Sequence, residues 1–454
     1  MRRLGAVLVA ALMVVAACSN TDDDDGGGSG GPGESASYAD VTTERDDENV
    51  PVDQPGVTDD EIRVAGLATL TNDLTNGNFG DIFSGVSAYF EMINQNGGIY
   101  GRQLVHEEFD DQLLNAQAAG IELLESEPFA VVGVATSGLA GASPDLVAAG
   151  IPVFGWNINQ EFDHQPTFFG TRGYLGIGEQ PNELVPWLGD EAGLSTLAVL
   201  AYGGAAAVQS QVCQEDIVNG IEQFDTAVEL GFNDSSLEFG FADVSPQVRQ
   251  MVDAGVDYVA TCMDFQGHAT IASEMQRQGL EAVHWLPRAY DPRFMDDFGD
   301  LFAGSYVHLM MLSREFEPRP PAMDAFEAWM AETGAGDEQL NELALAGWIS
   351  ADMFVTGLRI AGPDFTREAV IEGLNSLTDY TAQGLTPVID WTREHDEDAN
   401  GCQMLLLIED GEFVPQFTEG DQPYVCVLPG EDGALEVSHE PIQHEDVGLI
   451  EMPE

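Results

Sequence analysis

The chain contains no lysine: all fifteen of its basic residues are arginine, set against 79 acidic residues for a formal net charge of −64. Such a field repels nucleic acid and anionic lipid headgroups, which excludes both as surface partners. The acidity itself reads as solvation and solubility rather than as cation binding. Catalytic signatures are equally scarce. There is no nucleophile elbow of the form GxSxG, and no Walker or dinucleotide fingerprint stands in its proper context. His106 falls in an expected strand and His164 in a loop, positions that suit structural or exposed histidines better than catalytic ones. The adjacent acids Asp110 and Asp111 are the background expected of so acidic a chain rather than a glycosidase pair or a metal site. No enzymatic activity, cofactor or metal is therefore expected.

Cysteine is also sparse, with five in 454 residues. The first lies at the end of a leader: Arg2 and Arg3 precede an apolar run from Leu4 to Ala17, shorter than the ~20 residues that span a bilayer. Residues 1–17 thus read as a signal peptide. The segment VAAC (Val15–Cys18) resembles a bacterial lipobox, which implies acylation of Cys18 and anchoring to the cell membrane through lipid alone. The alternative is ordinary cleavage, with Cys18 an incidental thiol. Cys213, Cys262, Cys402 and Cys426 remain, an even number that suggests two disulfides in an exported protein. Three pairings are open. Cys213 with Cys262 and Cys402 with Cys426 is favoured, and no close Cys or His spacing supports zinc.

Residues 18–57, with TDDDDGGGSGGPGESAS, are too poor in apolar side chains to offset the entropy of ordering and read as a flexible tether. From DEIRVAGLATL onward, strand-like and helix-like segments alternate, the pattern of parallel βαβ units. Strands are expected at Ile62–Leu67, Gln103–Phe109, Phe129–Val134 and IPVFGW, with helices near Gly80–Gln95, Leu113–Ser126 and Gly141–Ala149. The pattern restarts at LSTLAVLAYGG, which predicts a second, similar lobe. There the expectation is a helix over Gln209–Phe224, a strand over Val256–Cys262, a helix over Ala269–Gln278 and the strand AVHWLP. A long helix at Leu340–Ala361, a shorter one at Arg367–Leu374 and two late strands complete the ordered part. From Pro429 the chain reads as an acidic surface tail, and no transmembrane stretch is expected there.

Several stretches together carry a family resemblance: IRVAGLATLTNDL, GVSAYFEMINQNGGIYGRQLVHEEFDDQ, VVGVATSG, AGIPVFGW, and GWISADMFVTGLRIAGPDFTREAVIEGL followed by IEDGEFVP. Over residues 61–417 the chain resembles the branched-chain amino-acid (Leu/Ile/Val) binding family of type I periplasmic solute-binding proteins, which supply ABC importers. The resemblance implies an α/β fold of two lobes, each a parallel sheet flanked by helices, joined by three hinge crossings. Lobe 1 would take residues 61–175 and about 309–385, lobe 2 residues 176–308 and about 386–426, and 427–454 would be the tail. The function implied is that of a monomeric, extracytoplasmic, lipid-anchored receptor that closes around a small polar molecule and delivers it to an ABC permease. An amino acid, an amide or a related compound would be the ligand. The alternative is a lipid-anchored sensor acting on a membrane signalling partner.

Ligands of open α/β sheets sit beyond the carboxyl ends of the strands, and the resemblance selects the same loops. In lobe 1 these carry Thr69 and Thr71, then Thr136 and Ser137 at a helix start that would favour a carboxylate, then Trp156, Asn157 and Asn159. In lobe 2 Tyr202 stands where an aromatic cover is usual, although GGAAAVQ follows it, and Phe265 stands where a further aromatic is usual. The family's glutamate for a ligand ammonium is missing; Asp264 or Asp291 would replace it, beside Tyr290. Arg288 would favour an anionic group or make a surface or hinge salt bridge.

Overall fold

The structure is a computed structural model and describes residues 37–38, 41, 49–71, 79–204, 207–397, 401–443 and 448–453. The leader, Cys18 and most of the tether lie outside the described residues.

The first lobe opens with β1 (Glu61–Ala68), α1 (Asp81–Gln95), β2 (Gln103–Asp110), α2 (Ala116–Glu125), β3 (Val131–Ala135), α3 (Ser143–Ala148), β4 (Val153–Gly155) and β5 (Phe168–Gly170). Its strands pair in parallel in the order β2-β1-β3-β4-β5. The second lobe follows with α4 (Leu184–Glu191), β6 (Thr196–Tyr202), α5 (Val208–Gln223), β7 (Glu229–Leu237), α6 (Ser245–Ala254), β8 (Tyr258–Cys262), α7 (Phe265–Gln278), β9 (Val283–Pro287), α8 (Pro292–Phe298) and β10 (Tyr306–Leu309). The chain then returns to lobe 1 with α9 (Pro321–Glu332), α10 (Glu342–Ala361) and α11 (Arg367–Leu374). It ends in β11 (Cys402–Glu409), β12 (Glu412–Gln416), β13 (Tyr424–Pro429) and β14 (Leu435–Glu440). The second sheet runs β14-β13-β11-β10-β9-β8-β6-β7, with β12 on β11. Its β6–β10 part is parallel and its β11–β14 part antiparallel.

Helices cover both faces of the parallel strands, so β3 and β8 are buried along their whole length and read in the sequence as unbroken apolar runs. Behind the first sheet, α1 crosses α10 with almost no gap. A Cβ on Gly85 would stand 1.8 Å from the Ala344 carbonyl oxygen, and one on Gly347 would stand 1.9 Å from that of Ile82. The two glycines let the backbones touch. Helix α10 is long and apolar enough to cross a membrane, yet 89% of its apolar window is buried inside the fold, against α1, α11, β3 and β4. It is a core helix.

The stretch NQNGGIYGR terminates α1. Gly97 and Gly98 have φ of +101° and +77°, and the Gly98 N–H donates to the Ile93 carbonyl, closing the helix end. A side chain on Gly98 would strike the Arg102 carbonyl, at 2.1 Å.

Several expectations are corrected. The stretch read as a loose tether contributes Tyr38 and Val41 to the core, and Tyr38 Oη donates to Asp352 at 3.2 Å. Beyond Pro429 the chain is not wholly a surface tail: β14 pairs along β13, Leu449 is buried, and Trp329 Nε1 donates to the Glu451 carbonyl. Lobe 2 also holds β7, β10, α4, α6 and α8, which were not anticipated as elements; nor were β5 and α9 in lobe 1. Strand β7 alternates half-buried and exposed residues and lacks an apolar run, while β5 and β10 are too short to show a period. The helix expected over Gly141–Ala149 is a 3₁₀ turn, Leu139–Gly141, followed by the six residues of α3. That is too little aligned backbone to support the expected carboxylate attraction at Ser137. Both favoured disulfides are present, and Cys402 and Cys426 are cross-strand partners of β11 and β13.

Candidate functional site

The carboxyl ends of β1, β3 and β4 in one lobe and of β6, β8 and β9 in the other meet around a cavity of about 330 Å³. This volume suits a small organic ligand. Of the residues singled out from the sequence, Thr69, Ser137, Trp156, Asn157, Tyr202, Asp264 and Arg288 line it.

Arg288 dominates its electrostatics. It sits just past the end of β9 at φ +63°, an uncommon conformation for a residue with a Cβ. Its guanidinium carbon lies 4.1 Å from the ring centre of Phe79, 5.4 Å from that of Trp156 and 5.6 Å from that of Phe265. Three aromatic faces thus support the cation. Nε is buried and has no hydrogen-bond partner among the described residues. Burial lowers the guanidinium pKa to about 10, against the opposing pull of Glu342, Asp264 and Asp291.

Glu342, in the first turn of α10, forms another part of the wall. Its Oε1 accepts from Trp156 Nε1 at 3.0 Å, while Oε2 is buried without a partner among the described residues. Burial pushes this carboxyl up to about 7, opposed by Arg288 and by the Trp156 hydrogen bond. Asp264 caps α7 by accepting from the Gly267 N–H at 2.9 Å, and it also accepts from Tyr202 Oη at 2.8 Å. Asn157 donates from Nδ2 to the Gly173 carbonyl at 2.6 Å, which fixes the orientation of its amide.

The other candidates stand off the cavity wall. Thr71 donates to Asp110 Oδ2 at 2.5 Å, and Thr136 donates to Asp111 Oδ2, so both hydroxyls order the loops instead. Asp111 also accepts from Thr69 Oγ1 at 2.7 Å and from the Leu113 N–H, which gives the acidic pair a scaffolding role. Asn159 is buried with its amide unpaired among the described residues. Phe265 backs Arg288. Tyr290 donates to Glu315 at 2.8 Å, and Asp291 caps α8 and binds Arg293, which reaches across to Asp81 of α1. Asp291 is therefore occupied by an arginine rather than facing a ligand.

His106 is half-buried, with Nε2 3.0 Å from the Val132 carbonyl, and desolvation of its ring pulls its pKa down to about 4. His164 lies on the surface between Asp396 and Glu179, which push it up to about 9. Neither reaches the cavity.

Sequence reasoning missed Phe79, Arg172, Trp285, His308, Glu342 and Gln403, all on the wall. The signal for Glu342 was an acid one position after Asn341 at the head of an otherwise apolar helix. Asn341 caps that helix by accepting from the Ala344 N–H.

A family model for periplasmic binding proteins matches residues 61–412. Solved structures of the same fold include a branched-chain amino acid ABC transporter from Thermus thermophilus with bound valine, at 16% identity, covering 78% of this chain and 95% of that one, TM-score 0.62. A fatty acid ABC transporter substrate-binding protein from Thermomonospora curvata is 17% identical over 87% of this chain and 96% of its own, TM-score 0.62. A solute-binding protein of an ABC transporter from R. palustris, in complex with 4-hydroxybenzoate, is 14% identical over 79% and 96%, TM-score 0.62. Identities this low carry the fold alone. Comparison with curated proteins finds no match. With two α/β lobes and a cavity at their strand ends, the chain belongs to the periplasmic binding protein family, whose members bind ligands outside the cytoplasm and are not enzymes.

Proposed function

We propose that the chain is an extracytoplasmic solute receptor, lipid-anchored at Cys18, that encloses a small carboxylate-bearing molecule between its lobes and delivers it to an ABC permease. The observation that carries the ligand class is Arg288: a half-buried cation whose Nε is buried and unpaired among the described residues, on the wall of the interlobe cavity, in a chain of net charge −64. Carboxylates pair well with guanidinium, and the pair strengthens where water is excluded. The ligands named for the related structures, valine, fatty acid and 4-hydroxybenzoate, all carry a carboxylate. Contacts from both lobes would favour the closed state, so ligand affinity includes the free energy of closure.

Thermal melting against a panel of amino acids, aliphatic acids and aromatic acids tests this. At least one carboxylate should raise the midpoint, and Arg288→Gln should abolish that rise while the variant alone still melts cooperatively. A ligand that binds Arg288→Gln as well as the wild type would remove the carboxylate reading. Loss of signal across the whole panel, with no small molecule co-purifying, would remove the receptor reading. For the anchor, mass spectrometry of the membrane-extracted protein should find acyl groups on an N-terminal Cys18.

A further inference from the structure

The cavity extends past Arg288 onto the face of the second sheet. Trp285 and Pro287 of β9, His308 of β10 and Gln403 of β11 form its floor there. The floor is built by the ladder: His308 pairs with Pro287, and β10 pairs antiparallel with β11. Trp285 and His308 stack with ring centres 5.7 Å apart.

Two polar atoms on this floor have no partner among the described residues. Trp285 Nε1 and His308 Nε2 are both shut off from solvent, and the Trp285 residue as a whole is only 3% exposed. A buried polar atom left unpaired costs about 1–3 kcal/mol, so two together on a cavity floor call for a ligand group. Indole N–H is a donor and nothing else, which makes the missing group an acceptor. Arg172 stands on the same wall, its Nε donating to the Cys402 carbonyl at 3.2 Å, and it adds positive charge there. Burial, and then this charge, lower the His308 pKa to about 3, so the imidazole stays neutral at physiological pH. The same cavity wall also carries the apolar side chains of Met263, Met310, Leu175 and Ile177. Trp285 and Arg288 are three residues apart along an extended segment, on the order of 10 Å at ~3.3 Å per residue.

Resting on the receptor reading above, we propose that the ligand is two-ended. One carboxylate sits at Arg288 in the cleft, a second sits against Trp285 Nε1 in lobe 2, and an apolar spine joins them. An α-amino acid with an apolar side chain, whose charged groups share one carbon, cannot reach both stations. An α,ω-dicarboxylate can.

The test is calorimetry on the full chain purified in detergent, with suberate, octanoate and norleucine as probes. Octanoate shares the spine and one end of suberate but lacks the second carboxylate. Suberate should bind about tenfold or more tightly than octanoate, the effect of one hydrogen bond to a charged group. Trp285→Phe, which keeps a ring but removes the N–H, should narrow that gap. The wild-type comparison stands even where the variant folds poorly. Octanoate binding as tightly as suberate, or norleucine tighter than both, would overturn the two-ended ligand and leave the receptor reading intact. Failure of all three probes would also overturn the two-ended ligand, and only the wider carboxylate panel would then decide the receptor reading.

Discussion

Replacing Gly85 by alanine should destabilise the first lobe, although an alanine normally favours a helix. In an isolated helix the exchange stabilises by ~1 kcal/mol. Here the added methyl would lie 1.8 Å from the Ala344 carbonyl oxygen and also press on the Trp348 backbone nitrogen, both in α10. Ordinary contact begins near 3.4 Å, so the helices must part by more than an ångström along a seam that includes Ile82, Val86 and Trp348. Overpacking of a rigid core costs typically ~1–3 kcal/mol and occasionally more, and backbone gives less than a side chain. After the propensity gain, a net loss of ~2 kcal/mol or more is expected. Guanidinium unfolding followed by tryptophan fluorescence would report it, since Trp348 lies on the same seam and Trp156 on the same lobe. Gly193→Ala is the comparison: φ there is +70°, but nothing lies within 4 Å of the new Cβ, so only backbone strain of about 1 kcal/mol is added. A Gly85→Ala midpoint equal to or above wild type would refute the reading of this crossing as backbone on backbone.

Glu342→Gln should change the pH dependence of stability. Burial raises the folded-state carboxyl from its ordinary 4.5 to about 7, so the folded chain keeps a proton that the unfolded chain has released. This group's contribution is full below about pH 4.5 and is lost as pH rises through about 7, a swing of ~3 kcal/mol. In ligand-free denaturant melts, the variant should therefore gain on wild type between pH 5 and pH 8, and a constant difference would contradict it. Removing the Cys213–Cys262 bridge by paired serine substitution opens a loop of 49 residues. Denaturant melts should show a loss of about 4 kcal/mol on the chain-entropy model, and an unchanged midpoint would deny the bridge a stabilising role. Tyr38→Phe removes one of the donors converging on buried Asp352, alongside Tyr89, Tyr380 and Gln383. It should cost ~1 kcal/mol, and a denaturation midpoint equal to wild type would show that this hydrogen bond adds nothing to stability.

Much of the architecture was legible locally. Parallel strands covered on both faces must be apolar throughout, so β1, β3, β6 and β8 stood out as runs. The glycines after α1 announced its end because only a residue without Cβ sits easily at those φ values. Elements whose stability comes from neighbours left little trace. β7 is half exposed, β10 has four residues, and β14 is an acidic strand held by its ladder to β13.

The site divides in the same way. By itself the sequence determined the α/β lobes, the loops at strand ends that hold the cavity, and an even set of cysteines whose pairing it left open, because these follow from periodicity, composition and chain order. It could not determine which side chains in those loops face the cavity. Thr136 is turned away by Asp111, 25 residues earlier, and Glu342 is brought beneath Trp156 from 186 residues later. Trp285 and His308 meet only because β9 and β10 are neighbours in the sheet. Where a polar group finds its partner is a question of distance in space, and only the tertiary structure converts separation along the chain into that distance.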